Sequence, residues 1–517
     1  MRRGARRLLI AGGIAAGVLA AAVVGVEVLL PHWLRGAIER FGSDGLARRV
    51  TVGGPVELSL LPEPVLSIRD VALANAAWGT EPDMVRVGRL SVRLGLRALL
   101  SGRLLLRDVA IERVRVSLER DEHGTGNWVL AIPRRPSHAK EKKAWKPVTI
   151  ERASVRDLAL ALRKRPRSDP LRVSVRTLTA RLDPADQMVD LEVEGSLDEA
   201  PWQLAGRLGT LNNLYAARDV EHTLTGRIAG STVTLQGRIR DPLSLGGAEV
   251  TLGVEGGDAA AAAEVFGLRI PVTGPYRIDA TLAPIAEGGV ATRIAAEAGG
   301  MKASARGQVS ALLDPARIGA TLEIEGPDAS VPGGWLGIAG LPPRPFEAGG
   351  TVRREGSSVV LDGMRLRVGE TSATIDGTVG PPPRCEGTSL AIRGAGKDLS
   401  QLSALTRLSL PAVPFGVTGR FLRRPDGLAI ERAEVRAGAT TVQADGTIGE
   451  PPSLTALDLR AEARGPDASV LNSLAGVALP RAPFAAHGRI AREGRAYALD
   501  AVEIEMGADR ASVRGAL

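Results

Sequence analysis

Residues able to do chemistry are few in this chain, and they do not stand in working arrangements. The five histidines are His32, His123, His138, His222 and His487, and no two have a helical metal-ligand spacing such as i, i+4. A single cysteine, Cys385, excludes an intramolecular disulfide framework and a cysteine-based metal site. Carboxylate pairs suited to general acid–base work occur at Asp121-Glu122 and Asp198-Glu199, but both fall at predicted turns and read as solvated. There is no Gly-x-Ser-x-Gly elbow, no Walker A loop and no His-Glu-x-x-His motif. Gly12-Gly13 lies in an apolar run and Gly299-Gly300 between strands, so neither is a phosphate loop. The expectation is a protein that is not an enzyme and has no catalytic residue, metal or cofactor.

A net charge of +8 raises nucleic acid as a partner. The distribution argues against it. Only seven of the 66 basic residues are lysine, the arginines are interleaved with acids, and the one basic run, Arg134 to Lys146, contains prolines and reads as a solvated loop. Aromatics make up 3% of the chain, too few for base-stacking platforms.

The residues with a repeating arrangement are structural. Pro275-Tyr276, Pro345-Phe346, Pro414-Phe415 and Pro483-Phe484 recur every 69 or 70 positions. Asp258, Asp328, Asp398 and Asp467 precede them, and Gly307, Gly377, Gly446 and Gly515 close the units, at the same period. Three landmarks with one period define a repeat, a supersecondary unit stacked along an axis. Each unit reads as an Asp-capped short helix, a Pro-aromatic strand and about three more strands. The helix is clearest after Asp398 and Asp467; after Asp328, Pro332, Gly333 and Gly334 argue against it. A weaker trace of the motif lies at Pro201-Trp202 with Gly206, which matches the aromatic-to-glycine interval of Phe346–Gly350, Phe415–Gly419 and Phe484–Gly488. Tyr276 departs, with Ala280 in that place.

Between residue 50 and the repeats, apolar residues alternate with polar ones, as in Val114-Val116-Leu118 and Leu158-Leu160-Leu162. Period-2 alternation means strands with one apolar and one wet face. One short helix cannot cover the apolar face of four strands, so that face must meet a second sheet, its own curled edge or a ligand. Periodicity leaves a closed core and an open groove as alternatives. In the open form, Val114, Val116, Leu118, Leu158, Leu160 and Leu162 are the groove candidates, and an aliphatic lining matches acyl chains.

The N-terminus predicts where the protein sits. Leu8 to Val26 carries no charge and, with Val28 to Leu30, is long enough to cross a bilayer. Arg2, Arg3, Arg6 and Arg7 before it predict a cytoplasmic N-terminus with the bulk of the chain outside. A cleaved leader ending at Ala20-Ala21-Ala22 is the alternative, but the run exceeds a usual leader core. Trp33, Leu34, Ala37, Ile38 and Phe41 then share a helical face, with Gly42 as a stop. That helix either packs on the first strands or lies at the membrane surface. The expected organisation is a basic tail (1–7), a transmembrane anchor (8–30), a β-region (31–255) and four repeats (256–517), the last incomplete.

Residues 66–130 add a resemblance. They run through Leu-Ser-Ile-Arg-Asp-Val-Ala-Leu-Ala-Asn (66–75), Trp78-Gly79, Leu99-Leu100-Ser101-Gly102, Leu106-Arg107-Asp108-Val109-Ala110-Ile111 and Gly124-Thr125-Gly126-Asn127-Trp128. This order resembles the AsmA family of inner-membrane-anchored periplasmic proteins. The resemblance implies a mainly β fold: an elongated, repetitive antiparallel sheet curled into a groove, with few short helices, as in bridge-like lipid-transfer proteins. It implies phospholipid or another acyl-chain lipid and the inner membrane as partners, with other envelope proteins besides, and a part in outer-membrane biogenesis and integrity. It carries over no catalytic residue. A scaffold for outer-membrane proteins without lipid transport is the alternative.

Overall fold

Alternating aliphatic and polar residues form strands almost throughout: 28 occur among the described residues. The computed structural model describes residues 33–516 except 102, 122–124, 129–147, 164–170, 243–245, 266, 286–288, 310–317, 336–337, 339, 382–384, 407, 425–426, 450–455, 473–477 and 494–495. The chain divides into two compact units, one up to Arg238 and one from Ile239.

The first unit contains β1 (Val50–Val52), β2 (Val56–Ser59), β3 (Val65–Ala74), β4 (Asp83–Leu94), β5 (Leu105–Glu119), β6 (Thr149–Ile150), β7 (Arg152–Arg163), β8 (Leu171–Leu182), β9 (Met188–Leu197), β10 (Ala200–Thr210) and β11 (Val220–Ile228). β12 (Ser231–Asp241) contains the division point. From β3 to β5 and from β7 to β11, neighbours pair antiparallel. The expectation of a purely antiparallel sheet fails at one place: β5 pairs parallel with both β6 and β7. A parallel pair needs a long return connection, and residues 120–148 supply it. The basic run Arg134–Lys146 belongs to that connection and lies outside the described residues.

A line of irregular residues crosses four of these strands. Asp70 in β3, Arg113 in β5 and Asp157 in β7 all have φ of 52–54°, and the register puts Asp70 opposite Gly88, Gly88 opposite Arg113 and Arg113 opposite Asp157. The ladders pass them without a register shift, so each is a local kink, with no inserted residue, that reverses the inside–outside phase. This explains why the apolar residues of β5 occupy odd positions at Val109 and Ile111 but even positions from Val114 onward. The phase slips where the chain kinks, so the apolar face stays continuous.

The helix predicted after the apolar N-terminal run spans residues 33–46 and passes through Gly42. Gly42 is a contact residue and not a stop. A Cβ there would come within 3.2 Å of Val50. The helix is tied to β1 by Val52 N, which donates to Glu39 Oε1 at 2.9 Å, and by Val50 N, which donates to Ser43 Oγ at 2.9 Å. The chain leaves it at Ala47, with φ 50°. Ala37 is buried, whereas Trp33 and Phe41 stand exposed at 61% and 75%. The predicted anchor, residues 8–30, lies outside the described residues, and no described helix is long and apolar enough to cross a membrane.

The second unit is a meander in which each strand pairs antiparallel with the next. It comprises β13 (Gly246–Gly256), β14 (Tyr276–Pro284), β15 (Val290–Ala298), β16 (Met301–Val309), β17 (Ile318–Gly326), β18 (Phe346–Glu355), β19 (Ser358–Val368), β20 (Thr371–Val379), β21 (Ser389–Gly396), β22 (Phe415–Arg424), β23 (Gly427–Ala437), β24 (Thr440–Ile448), β25 (Ala456–Gly465), β26 (Phe484–Glu493), β27 (Ala496–Met506) and β28 (Asp509–Ala516). The four repeat aspartates cap short helical turns as predicted. Asp258, Asp328, Asp398 and Asp467 accept from the amides of Ala260, Ser330, Ser400 and Ser469 at 2.8–3.0 Å. The turn after Asp328 also forms, over Ser330–Trp335. Its proline falls in the first turn, where an amide has no intrahelical acceptor to lose.

Candidate functional site

The short helical turns cover only one end of each repeat. Phe346 packs with Ala329 and Val368, backed by Met301, Ile324, Leu341 and Leu366. Phe415 packs in the same way with Leu399 and Ala437. Phe484 is buried too, while Tyr276 is only half-buried. Phe346 and Phe415 therefore form small local cores beneath the helical turns.

Away from that end, the register draws an apolar face. One row runs straight across the sixteen strands from β13 to β28: Val254, Ile278, Ala296, Ala303, Ile324, Ala348, Leu366, Ala373, Gly394, Val417, Val435, Val442, Ala463, Ala486, Ile504 and Ala511. A parallel row two positions along includes Leu252, Ile294, Leu322, Met364, Ile375 and Val513, again without a charge. The opposite face is ionic: Glu255–Arg277 at 3.7 Å, Glu347–Arg367 and Asp458–Arg489 at 2.6 Å lie in exposed positions. The apolar rows are mostly half-buried, and Ile294, Ile490 and Val513 remain 36–41% exposed. A face packed beneath a second sheet would bury these side chains almost fully.

The closing glycines belong to this face. A Cβ on Gly307, Gly377 or Gly446 would lie 2.0–2.3 Å from a carbonyl oxygen of the next strand, which only glycine permits. At Gly515 nothing lies within 4 Å. The second glycine, four residues after the aromatic, has another cause. Gly350, Gly419 and Gly488 sit against bulges in the following strand, where Gly363, Arg432 and Ala501 adopt φ of 48–59°. Asp376 Oδ1 and Asp445 Oδ1 accept from the bulged amides of Gly363 and Arg432 at 2.7 and 2.6 Å. The departure at Ala280 now has a reason: its partner strand β15 pairs without a register shift. Gly206, matched by spacing to the second kind, is of the first kind. Its ladder with β11 is regular, and its Cβ would lie 2.0 Å from Thr223 O.

In the first unit the six groove candidates come together. Val114 faces Leu158, Val116 faces Leu160 and Leu118 faces Leu162, across the parallel β5–β7 pair. The rows continue through Val87 and Val71 on one side and Val175, Gly195 and Trp202 on the other. Val114 is buried; the other five are half-buried.

An open cavity of about 1250 Å³ follows the second unit from β15 to β23. It is lined by the row through Ala296, Ala348 and Val417 and by both flanking charged-face rows, including Glu297, Lys302, Arg365 and Arg393. The next apolar rows, at Ile294 and Phe346, do not reach it.

Sequence spacing missed a buried polar cluster at one end of β5. Asn127, fully buried, donates from Nδ2 to Asn75 Oδ1 (2.9 Å) and Ser117 O (2.8 Å), and its Oδ1 accepts from Glu119 N (3.0 Å). Glu119, 3% exposed, accepts from Thr80 N (3.0 Å), Thr80 Oγ1 (2.9 Å) and Ser117 Oγ (3.1 Å), with Arg163 at 3.5 Å. Burial pushes the Glu119 carboxyl up, but these donors and Arg163 outweigh it and hold the group below its ordinary value. The Asn75 and Asn127 that drew attention as motif residues thus latch the β3–β4 loop onto the end of β5. No described cluster of His, Cys, Asp or Glu has the geometry of a metal site.

Together these features define a class: a repetitive β-sheet protein whose second unit has an ionic face, a charge-free aliphatic face and short helical caps at one end of its repeats. Residues 4–164 match the model of the AsmA family, and this segment belongs to that family. No curated protein and no solved structure matches the chain.

Proposed function

We propose that this is a non-enzymatic envelope protein that binds phospholipid along its aliphatic sheet faces and conducts it between inner and outer membrane, supporting outer-membrane biogenesis and integrity. The observation that carries the reading is the charge-free row across sixteen successive strands, half-exposed beside its own ionic reverse face. Such a face, curled into a groove, suits acyl chains. Burying a 16-carbon chain is worth on the order of 10 kcal/mol at roughly 0.8 kcal/mol per CH₂. Lipid slides along a face of Ala, Val, Ile and Leu because no residue offers a specific polar contact that would hold it in place. The chain is held at the inner membrane by the run Leu8–Val26, with its arginines in the cytoplasm and its bulk in the periplasm. Exposed Trp33 and Phe41 on the first helix suit the lipid–water boundary.

The test is the lipid content of the purified full chain by extraction and mass spectrometry. The reference is the same anchor fused to an unrelated soluble domain, which reports lipid held by the anchor alone. The expected result is phospholipid in excess of the reference. Equal lipid in both, with the envelope still dependent on the protein, would overturn conduction in favour of a scaffold for outer-membrane proteins.

A further inference from the structure

The Leu99-Leu100-Ser101-Gly102 motif begins in a short helix, Leu96–Leu100, that joins β4 to β5. Ser101 closes the helix, its Oγ donating to Ala98 O at 2.8 Å. The β2–β3 loop, residues 60–64, meets this turn at the same end of the sheet. Leu94 N donates to Pro64 O at 2.8 Å, and Arg107 near the start of β5 pairs with Glu63. The two segments are thus held together as one tip.

The tip exposes large apolar side chains: Leu61 at 68%, Leu99 at 45% and Leu96 at 36%. A leucine exposed singly is ordinary, but three on two segments bonded to each other form a patch. The charge around them is mostly of one sign. Residues 60–64 and 93–108 carry Arg93, Arg97, Arg103 and Arg107 against Glu63 and Asp108. Arg107 takes Glu63, and Arg93 faces Asp108 across the β4–β5 ladder. Arg97 and Arg103 are exposed, and their guanidinium groups have no hydrogen bond or ion pair among the described residues. Leucines beside unpaired arginines match a surface that is apolar and anionic at once, as a bilayer with anionic lipid is.

The entry of the chain argues for the same partner. The helix 33–46 starts directly after the predicted anchor, and the link from Leu30 to Trp33 spans at most about 10 Å. Glu39 and Ser43 pin that helix to β1, and β1 and β2 both pair with β3. The sheet edge that carries the β2–β3 loop is therefore held near the bilayer.

We propose that this tip is a second membrane contact, docking on the surface of the anchoring bilayer with its leucines at the acyl boundary and Arg97 and Arg103 on anionic headgroups. The proposal rests on the membrane anchor of the proposed function. An anchor alone lets the first strands swivel; a second contact fixes their orientation to the bilayer.

The test uses the full chain with Cys385→Ser, so that an added cysteine is the one thiol. Bimane is attached at Ser101→Cys, or at Thr223→Cys on β11, five strands along the ladder from β5. The protein is reconstituted into phosphatidylcholine vesicles with or without phosphatidylglycerol, and spin-labelled phosphatidylcholine is the quencher. In vesicles with phosphatidylglycerol, at least about a twofold loss of fluorescence is expected at Ser101→Cys and none at Thr223→Cys. Arg97→Gln with Arg103→Gln, and Leu61→Ser with Leu99→Ser, are each expected to remove most of that loss while leaving the melting temperature unchanged, because the replaced side chains are exposed. Protein that does not float with the vesicles would overturn the anchor and the proposal with it. Protein that floats with an unquenched Ser101→Cys probe overturns the proposal alone. Equal quenching without phosphatidylglycerol, equal quenching at Thr223→Cys, or undiminished quenching in the folded arginine variant overturns it too. Blue-shifted emission without quenching would assign the tip to a protein partner and overturn the choice of a bilayer.

Discussion

Replacing Val116 and Leu160 together by aspartate puts two carboxylates directly opposite one another on the parallel β5–β7 pair. Facing side chains of neighbouring strands have Cβ atoms about 5 Å apart. At an effective dielectric of about 20, two like charges at that distance repel by roughly 3 kcal/mol. Both native side chains are half-buried, so losing them removes roughly 1 kcal/mol each of apolar burial. The total, about 5 kcal/mol, is comparable with the gain from laying six or so methylenes over the patch. The control is Ala159→Asp. It lies between the two pairs on the reverse face and opposite Arg115, so its acid meets solvent and an opposite charge. Three measurements decide the matter: melting by circular dichroism, phospholipid per protein by mass spectrometry, and rescue of envelope integrity in cells lacking the native protein. The expected outcome is a folded double variant depleted of lipid and unable to rescue, beside a control that behaves as wild type. A folded double variant with undiminished lipid and full rescue would refute the assignment of these positions to the lipid path. Loss of the folded protein would instead make them a sealed core.

Two further outcomes follow from the packing. The Glu119 pKa is depressed, so the folded state holds the proton less tightly than the unfolded one. Its contribution to stability is complete above the ordinary glutamate value of about 4.3 and fades as pH falls through the lower folded value. Glu119→Gln is therefore expected to destabilise in urea at neutral pH, with the gap to wild type narrowing below about pH 4; a gap that widens on acidification would contradict the sign. Gly350→Val sets a Cβ within 2.6 Å of Met364 Cα at a bulge and is expected to cost roughly 1–3 kcal/mol in urea unfolding. The matching change Ala280→Val, on a regular ladder, is expected to cost less.

Much of the fold is legible in the chain because strand alternation is local. Each run of Val, Leu and Ile at every second position specifies its own apolar face, and Asp before a short helical turn specifies its own cap. The repeat period, the strands of the site candidates and the family of the first segment all follow from neighbouring residues. What the sequence leaves open is whatever depends on which strand meets which. Val114 and Leu158 are 44 positions apart, and nothing local says that their strands run parallel and in register. The kink at Arg113 looks like a break in alternation until Asp70, Gly88 and Asp157 are seen beside it. The glycine four residues after each aromatic reads as a motif, but its cause is a bulge on the next strand. Asn75 and Asn127 reveal their bond only when a loop and a strand end are brought together. Periodicity chooses which side chains share a face; only the tertiary pairing decides whether those faces join into one surface, because hydrogen bonds between distant strands set the register.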